Sequence, residues 1–106
     1  MRTVLRNVKV LAVVAMGLAG PHAEAADADH GADLAKRWCA ACHVVDSSQK
    51  QASADVPTFA TIARRPDFTP EKVAFFLQDP HPKMPSFPLS RAEAADIAAY
   101  IGTLRK

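Results

Sequence analysis

Two cysteines and a histidine form a short motif, CAACH, at residues 39–43. Residues i and i+3 share one face of a helix, so both thiols can reach the two vinyl groups along one porphyrin edge and form thioether bonds. His43 follows directly and can direct a ring nitrogen to the iron as the proximal ligand. The motif therefore predicts one haem c attached covalently through Cys39 and Cys42, with His43 bound to the iron.

Other chemistries use the same residue types. A thiol oxidoreductase would use Cys39 and Cys42 as a dithiol, but that interpretation expects a βαβ pattern, which the sequence lacks. A structural zinc site would need a further ligand, and the adjacent Cys42 and His43 fit a tetrahedral site poorly. A disulfide is another alternative for two cysteines in an exported chain.

Met84 is the predicted distal iron ligand. It is the only methionine outside the leader described below, and it lies in a loop, residues 79–89, that cannot form regular structure because it is rich in proline. A thioether is a weak ligand, and a rigid loop limits the number of detached states. Paired with His43 it would favour ferrous iron and raise the reduction potential relative to two imidazoles. The alternatives are ligation by His81, or an open distal site serving gas sensing or a peroxidase-like reaction.

A backbone carbonyl is expected to accept the other ring hydrogen of His43, since ligating histidines are normally oriented in this way. Pro57 is the candidate, because its rigid ring begins an apolar segment. An ordinary loop proline is the alternative interpretation.

The first 25 residues have the three parts of a secretory signal peptide. A basic start precedes an apolar run of eleven residues, 10–20, and a small-x-small cleavage pattern at 23–25. The run is shorter than the roughly 20 residues that cross a bilayer. We therefore expect export to the periplasm, with an uncleaved anchor as the alternative, and one domain at residues 26–106.

Composition excludes some classes of function. The 106-residue chain has a formal net charge of +2, and its basic and acidic residues balance within 26–106. The sequence has no basic stripe with interleaved aromatic residues, so it gives no support for nucleic-acid binding. A domain this small usually needs a metal, disulfides or a cofactor for stability, and a buried haem would supply the missing apolar volume.

The hydrophobic pattern predicts an all-α fold of three to four helices and long loops wrapped around the haem. The helix starts are marked by Asp27 or Asp29, by Thr69 before a proline, and by a capping box of Ser90 and Glu93. The predicted helices cover residues 30–42, 58–65, 70–78 and 91–104. The segment 44–55 is predicted to be a polar surface loop.

From about Gly31 to its end, the chain resembles the small bacterial class I monohaem cytochromes c. The resemblance is carried by the CAACH motif, by Met84 followed by proline, and by Tyr100 in the final helix. It implies that the first and last helices cross at Gly31 with Tyr100 nearby, and that Pro57 supplies the carbonyl. One departure is Ala35, where the family often has an aromatic residue; Trp38 or Leu34 is expected to replace it.

The predicted function is electron carriage in the periplasm. Two protein ligands leave no open coordination position, so the chain is expected not to be an enzyme. Its partners would be redox proteins. The chain itself is expected to be a monomer or to form transient complexes with them. Cations that are candidates for a basic rim at the haem edge are Lys36, Arg37, Arg64, Arg65, Lys72 and Lys83.

Overall fold

The computed structural model describes residues 17, 25–53, 55–79 and 83–106. These ranges contain the helices α1 (Ala28–Trp38), α2 (Phe59–Ala63), α3 (Pro70–Gln78) and α4 (Arg91–Thr103). No strand occurs among the described residues, so the all-α prediction is confirmed. In those same ranges no helix has the length and apolar character needed to span a bilayer. The predicted signal peptide, apart from Gly17 and Ala25, and the competing ligand His81 lie outside the described residues.

Each helix begins where a short polar side chain accepts a hydrogen bond from the first turn. Asp27 caps α1, Thr58 caps α2 and Thr69 caps α3. At α4 the Ser90 hydroxyl accepts from the Glu93 amide, and the Glu93 carboxylate accepts from the Ser90 amide. These bonds satisfy backbone N–H groups that have no partner inside a helix. The starts predicted at Thr69 and Ser90 are confirmed.

The first helix ends four residues before the predicted boundary. The amides of Cys39 and Ala40 both donate to the Ala35 carbonyl oxygen, at 2.8 and 3.0 Å. The helical register is therefore lost after Trp38, and the chain continues as a tighter turn in which the Cys42 amide donates to the Cys39 carbonyl at 3.1 Å. Because that bond joins residues i and i+3, the two cysteines remain one turn apart.

Helices α1 and α4 cross in direct backbone contact at Gly31. A Cβ atom built on Gly31 would lie 1.9 Å from the Asp96 carbonyl oxygen and 2.4 Å from its carbon. No side chain fits at this point, so the implied crossing is confirmed. The core residues around the crossing are Leu34, Ala35, Ala94, Ile97, Ala98 and Ile101.

Hydrogen bonds also join the start of α1 to α4 near this crossing. The Asp96 carboxylate accepts from the Asp27 amide at 2.8 Å and lies 2.7 Å from Nδ1 of His30. The hydrogen bond to Asp96 raises the pKa of His30. His30 is exposed, as predicted for a surface residue.

The position occupied by Ala35 is filled without an aromatic residue. Ala35 is fully buried, and its neighbour Leu34 lies in the core. Trp38 instead contacts the ring of Phe87 at a centroid distance of 5.6 Å. This pair links the end of α1 to the chain that follows Met84. Leu34, and not Trp38, therefore contributes to the packing between the terminal helices.

Candidate functional site

A cavity of about 500 Å³ lies among the helices and the loops that join them. Its volume falls within the range of roughly 300–1,000 Å³ that is typical of ligand and cofactor sites. Most of the lining is apolar, as such sites require. The apolar residues of the lining include Val56, Pro57, Phe59, Ile62, Phe68, Val73, Phe76, Leu77 and Ile101.

Helix α3 directs three of its apolar residues to this cavity. None of its residues is fully buried, although Val73, Phe76 and Leu77 have the spacing of a core-facing stripe. All three line the cavity, and Phe76 is 51% exposed. Val73 and Leu77 also pack against the buried core, so the stripe forms a wall between that core and the cavity.

His43 lies in the cavity wall with one ring nitrogen already bonded. Its Nδ1 is 2.6 Å from the carbonyl oxygen of Pro57. A carbonyl only accepts, so Nδ1 carries the hydrogen, and in the neutral ring Nε2 keeps the lone pair that can bind a metal. The Phe59 ring packs against the imidazole at a centroid distance of 5.4 Å. These contacts fix both the tautomer and the orientation of the ring.

The two cysteines differ in their surroundings. Cys39 is 6% exposed and lines the cavity, and burial raises the pKa of its thiol to about 11. Reactive dithiols need a lowered thiol pKa, so this environment disfavours the oxidoreductase alternative. Cys42 is exposed and is not among the residues that line the cavity. The structure thus brings together Cys39, His43 and Met84, with Cys42 one turn away at the surface.

Met84 reaches the same cavity from a distant part of the chain. It is half-buried and lines the wall together with its neighbour Lys83. Proline follows it directly, and the pairing of Phe87 with Trp38 holds the next residues against the end of α1. A thioether and an imidazole, carried by separate loops, therefore line one apolar cavity.

The loop at 44–55 contributes more to the site than the sequence predicted. Val45 is only 2% exposed, and its carbonyl oxygen accepts a hydrogen bond from the Tyr100 hydroxyl at 2.6 Å. The Gln49 side chain bonds to the backbone of the CAACH motif. A hydropathy pattern carries no signal for a loop glutamine, whereas the two adjacent valines 44 and 45 were a visible sign of burial.

The donor set fits a covalently attached haem. The site offers an imidazole nitrogen, a thioether and a buried thiol next to a large apolar volume, which is the ligand chemistry of c-type haem. Within the described residues, no group of three or more His, Cys, Asp and Glu side chains is arranged to hold a metal ion.

Comparison with known proteins agrees with this geometry. The family model described as cytochrome c oxidase, cbb3-type, subunit III matches residues 26–101. The chain belongs to this cytochrome c family. It is also 72% identical over 93 residues to cytochrome c-552 of Bradyrhizobium diazoefficiens, covering 88% of this chain and 89% of that protein. No solved structure matches the chain.

Membership in the cytochrome c family establishes the cofactor and the general activity. The protein is a small bacterial monohaem cytochrome c, it binds haem c covalently, and it carries electrons between redox partners. The predicted cofactor is therefore confirmed.

Proposed function

We propose that this cytochrome c carries single electrons through a haem bound by Cys39 and Cys42, with His43 and Met84 as the two iron ligands. The observation that supports it most strongly is the shared cavity. Cys39, His43 and Met84 line one apolar space, and Nδ1 of His43 is bonded to the Pro57 carbonyl. This bond leaves Nε2 available for the iron.

When bound, haem supplies reversible one-electron exchange between ferric and ferrous iron. The protein residues determine the conditions of that exchange. His43 is held by Pro57 and Phe59, so its ring needs little reorganisation when the charge on the iron changes. Met84 supplies a neutral sulfur, which favours the ferrous form. The mostly apolar lining leaves few polar groups beside the haem that would have to reorganise when the charge on the iron changes.

We further propose that the protein acts as a carrier in the periplasm. With both iron positions taken by protein side chains, no position is open for a substrate, so the chain acts as a carrier and not as an enzyme. Residues 1–25 have the pattern of an export signal, which supports a periplasmic location and a domain at 26–106. N-terminal sequencing of protein isolated from the periplasm tests this, and a start at residue 26 is expected.

Redox partners are proposed to dock where the cavity opens to solvent. The lining there includes three cations, Arg65, Lys72 and Lys83, and two carboxylates, Asp55 and Asp67. The small positive excess predicts weak steering, so raising the ionic strength from low to physiological should slow electron transfer to an acidic partner by less than about tenfold. Stopped-flow kinetics over a salt series measures this effect. A rate that does not depend on salt would contradict a role for these cations.

Three measurements on purified holoprotein test how the haem and its iron are bound. The colour should remain with the polypeptide after acid-acetone extraction, and Cys39→Ala and Cys42→Ala should each shift the reduced α-band, because each leaves one vinyl group free. The reduced protein should not bind carbon monoxide at neutral pH. Extraction of the haem would refute thioether attachment, and rapid carbon monoxide binding would favour the open-site alternative of gas sensing or peroxidase-like activity.

A further inference from the structure

Gln49 connects the loop after the CAACH motif to the backbone of the motif itself. Its Nε2 donates to the carbonyl oxygens of Ala40 and His43, both at 2.8 Å. Its Oε1 accepts from the Val45 amide at 3.1 Å. One half-buried side chain thus contacts the motif at two positions and the residue pair that follows it at a third.

The chemistry of these partners determines the orientation of the Gln49 amide. The two carbonyls can only accept and the Val45 amide can only donate, so Nε2 must face the carbonyls and Oε1 must face Val45. The opposite orientation would pair acceptors with acceptors. Glutamine is therefore the residue type that satisfies all three groups, since a carboxylate of the same length has no hydrogen to donate.

The turn that contains Gln49 is itself ordered by local bonds. The Asp46 carboxylate accepts from the amide and the hydroxyl of Ser48, at 2.9 and 2.5 Å. The backbone N–H of Gln49 donates to the backbone carbonyl of Asp46 at 3.4 Å. These bonds shape the turn that carries Gln49, so its side chain is not a freely moving surface group.

His43 is consequently held at three points. Its amide donates to the Cys39 carbonyl at 2.9 Å, its carbonyl accepts from Gln49, and its ring Nδ1 donates to the Pro57 carbonyl at 2.6 Å. The first two contacts fix the backbone on either side of the His43 Cα atom. The third can fix the ring only if that backbone stays in place.

We propose that Gln49 is a positioning residue for the iron ligand: it fixes the His43 carbonyl and so maintains the orientation of the imidazole. The inference rests on the proposed role of His43 as an iron ligand. Gln49 does not touch the iron and acts through the backbone of the motif.

The variants Gln49→Ala and Gln49→Glu separate the two halves of the amide. Gln49→Ala removes donors and acceptor alike, whereas Gln49→Glu keeps an acceptor for Val45 and loses the two donors. Gln51→Glu is the matched control, because it makes the same change two residues later at an exposed position. It leaves in place the Gln51 backbone carbonyl, which accepts a long hydrogen bond from Gln49 Nε2 at 3.4 Å. All three are studied as holoprotein by nuclear magnetic resonance.

Exchange of the His43 ring N–H with solvent should accelerate by about tenfold in both Gln49 variants, as expected for the loss of two ordinary hydrogen bonds. Exchange of the Val45 amide should rise similarly in Gln49→Ala and much less in Gln49→Glu. The ferric-state shifts of the His43 ring protons should change in both. Gln51→Glu should match the parent throughout, and amides of Ile97 and Ile101 should change by less than about twofold.

Parent-like His43 shifts and ring exchange in both Gln49 variants would overturn the proposal. So would a uniform rise in exchange that includes α4, or the loss of folded holoprotein in both variants, because either would show that Gln49 supports the whole fold. If the parent itself has no iron-shifted His43 resonances, the proposed iron ligation is wrong and this inference falls with it. The parent spectrum therefore distinguishes the two failures.

Discussion

Gly31→Ala is expected to destabilise the holoprotein by about 3 kcal/mol, at the upper end of what overpacking usually costs. The added methyl group would lie 1.9 Å from the Asp96 carbonyl oxygen, which belongs to the backbone of α4. Backbone atoms cannot move aside as a flexible side chain can, so the two helices must separate along the whole crossing. The loss is large for a domain of this size, whose total stability is roughly 0.05–0.15 kcal/mol per residue.

Thermal unfolding followed by circular dichroism measures this effect, and a fall in the melting temperature on the order of 10–25 °C is expected. Gly102→Ala is the control, because Gly102 is also helical but the Cβ atom built there has ordinary contacts with Phe68 at 3.7 Å. That variant should be neutral or more stable by up to about 1 kcal/mol, since alanine favours the helix. Equal effects at the two positions would contradict the close crossing of α1 and α4.

Met84→Ala is expected to lower the reduction potential by a large amount, on the order of 0.2 V, within the roughly 0.8 V range that axial ligands span. The haem stays attached through the cysteines, but the neutral sulfur that favours ferrous iron is removed. The reduced variant should also bind carbon monoxide at neutral pH. Redox titration monitored in the visible spectrum measures the potential, and mixing with carbon monoxide tests the open position.

Lys83→Ala is the matched control for this prediction. Lys83 precedes Met84 and lines the same cavity, but it offers no thioether. The oxidised Lys83→Ala variant should therefore keep the weak red absorption band that sulfur bound to ferric haem iron produces, and its reduced form should not bind carbon monoxide. The double variant His81→Ala with Met84→Ala tests whether His81 can bind the iron when Met84 is absent. If only the double variant binds carbon monoxide, His81 replaces the missing ligand. An unchanged potential in Met84→Ala would contradict distal ligation by this residue.

Helix starts were the part of the fold that the sequence predicted best. The bonds at Thr69 and at Ser90 with Glu93 join residues three positions apart, so the chemistry that makes them is visible in a short window. The close approach at Gly31 followed from the family resemblance, because a lone glycine does not by itself indicate what it contacts.

Features that depend on distant contacts were predicted less well. The first helix was expected to reach residue 42 but ends at Trp38, where two amides share the Ala35 carbonyl. Local propensity does not predict that change of register. The choice between Leu34 and Trp38 beside Ala35 also needed the structure, because Trp38 finds its partner, Phe87, outside the terminal helices.

The site residues also differ in whether the sequence alone could predict them. The CAACH motif was proposed from local chemistry, and Met84 because it is the only methionine outside the leader. Pro57 was proposed from its place before an apolar segment and from the family resemblance, and the structure places its oxygen 2.6 Å from His43 Nδ1. Gln49 was not singled out, because its importance comes from three backbone groups gathered by the turn around it. Cys42 lies at the surface and not in the cavity wall, which a spacing rule for thiols does not foresee.

The proton spectrum of the reduced holoprotein, with the methionine methyl group labelled with carbon-13, tests the central proposal most directly. A thioether bound to the iron lies directly over the porphyrin, and the ring current moves its methyl resonance far upfield. The proposal predicts such a resonance and predicts that it disappears in Met84→Ala. A Met84 methyl resonance at the position found in an unfolded peptide would contradict it.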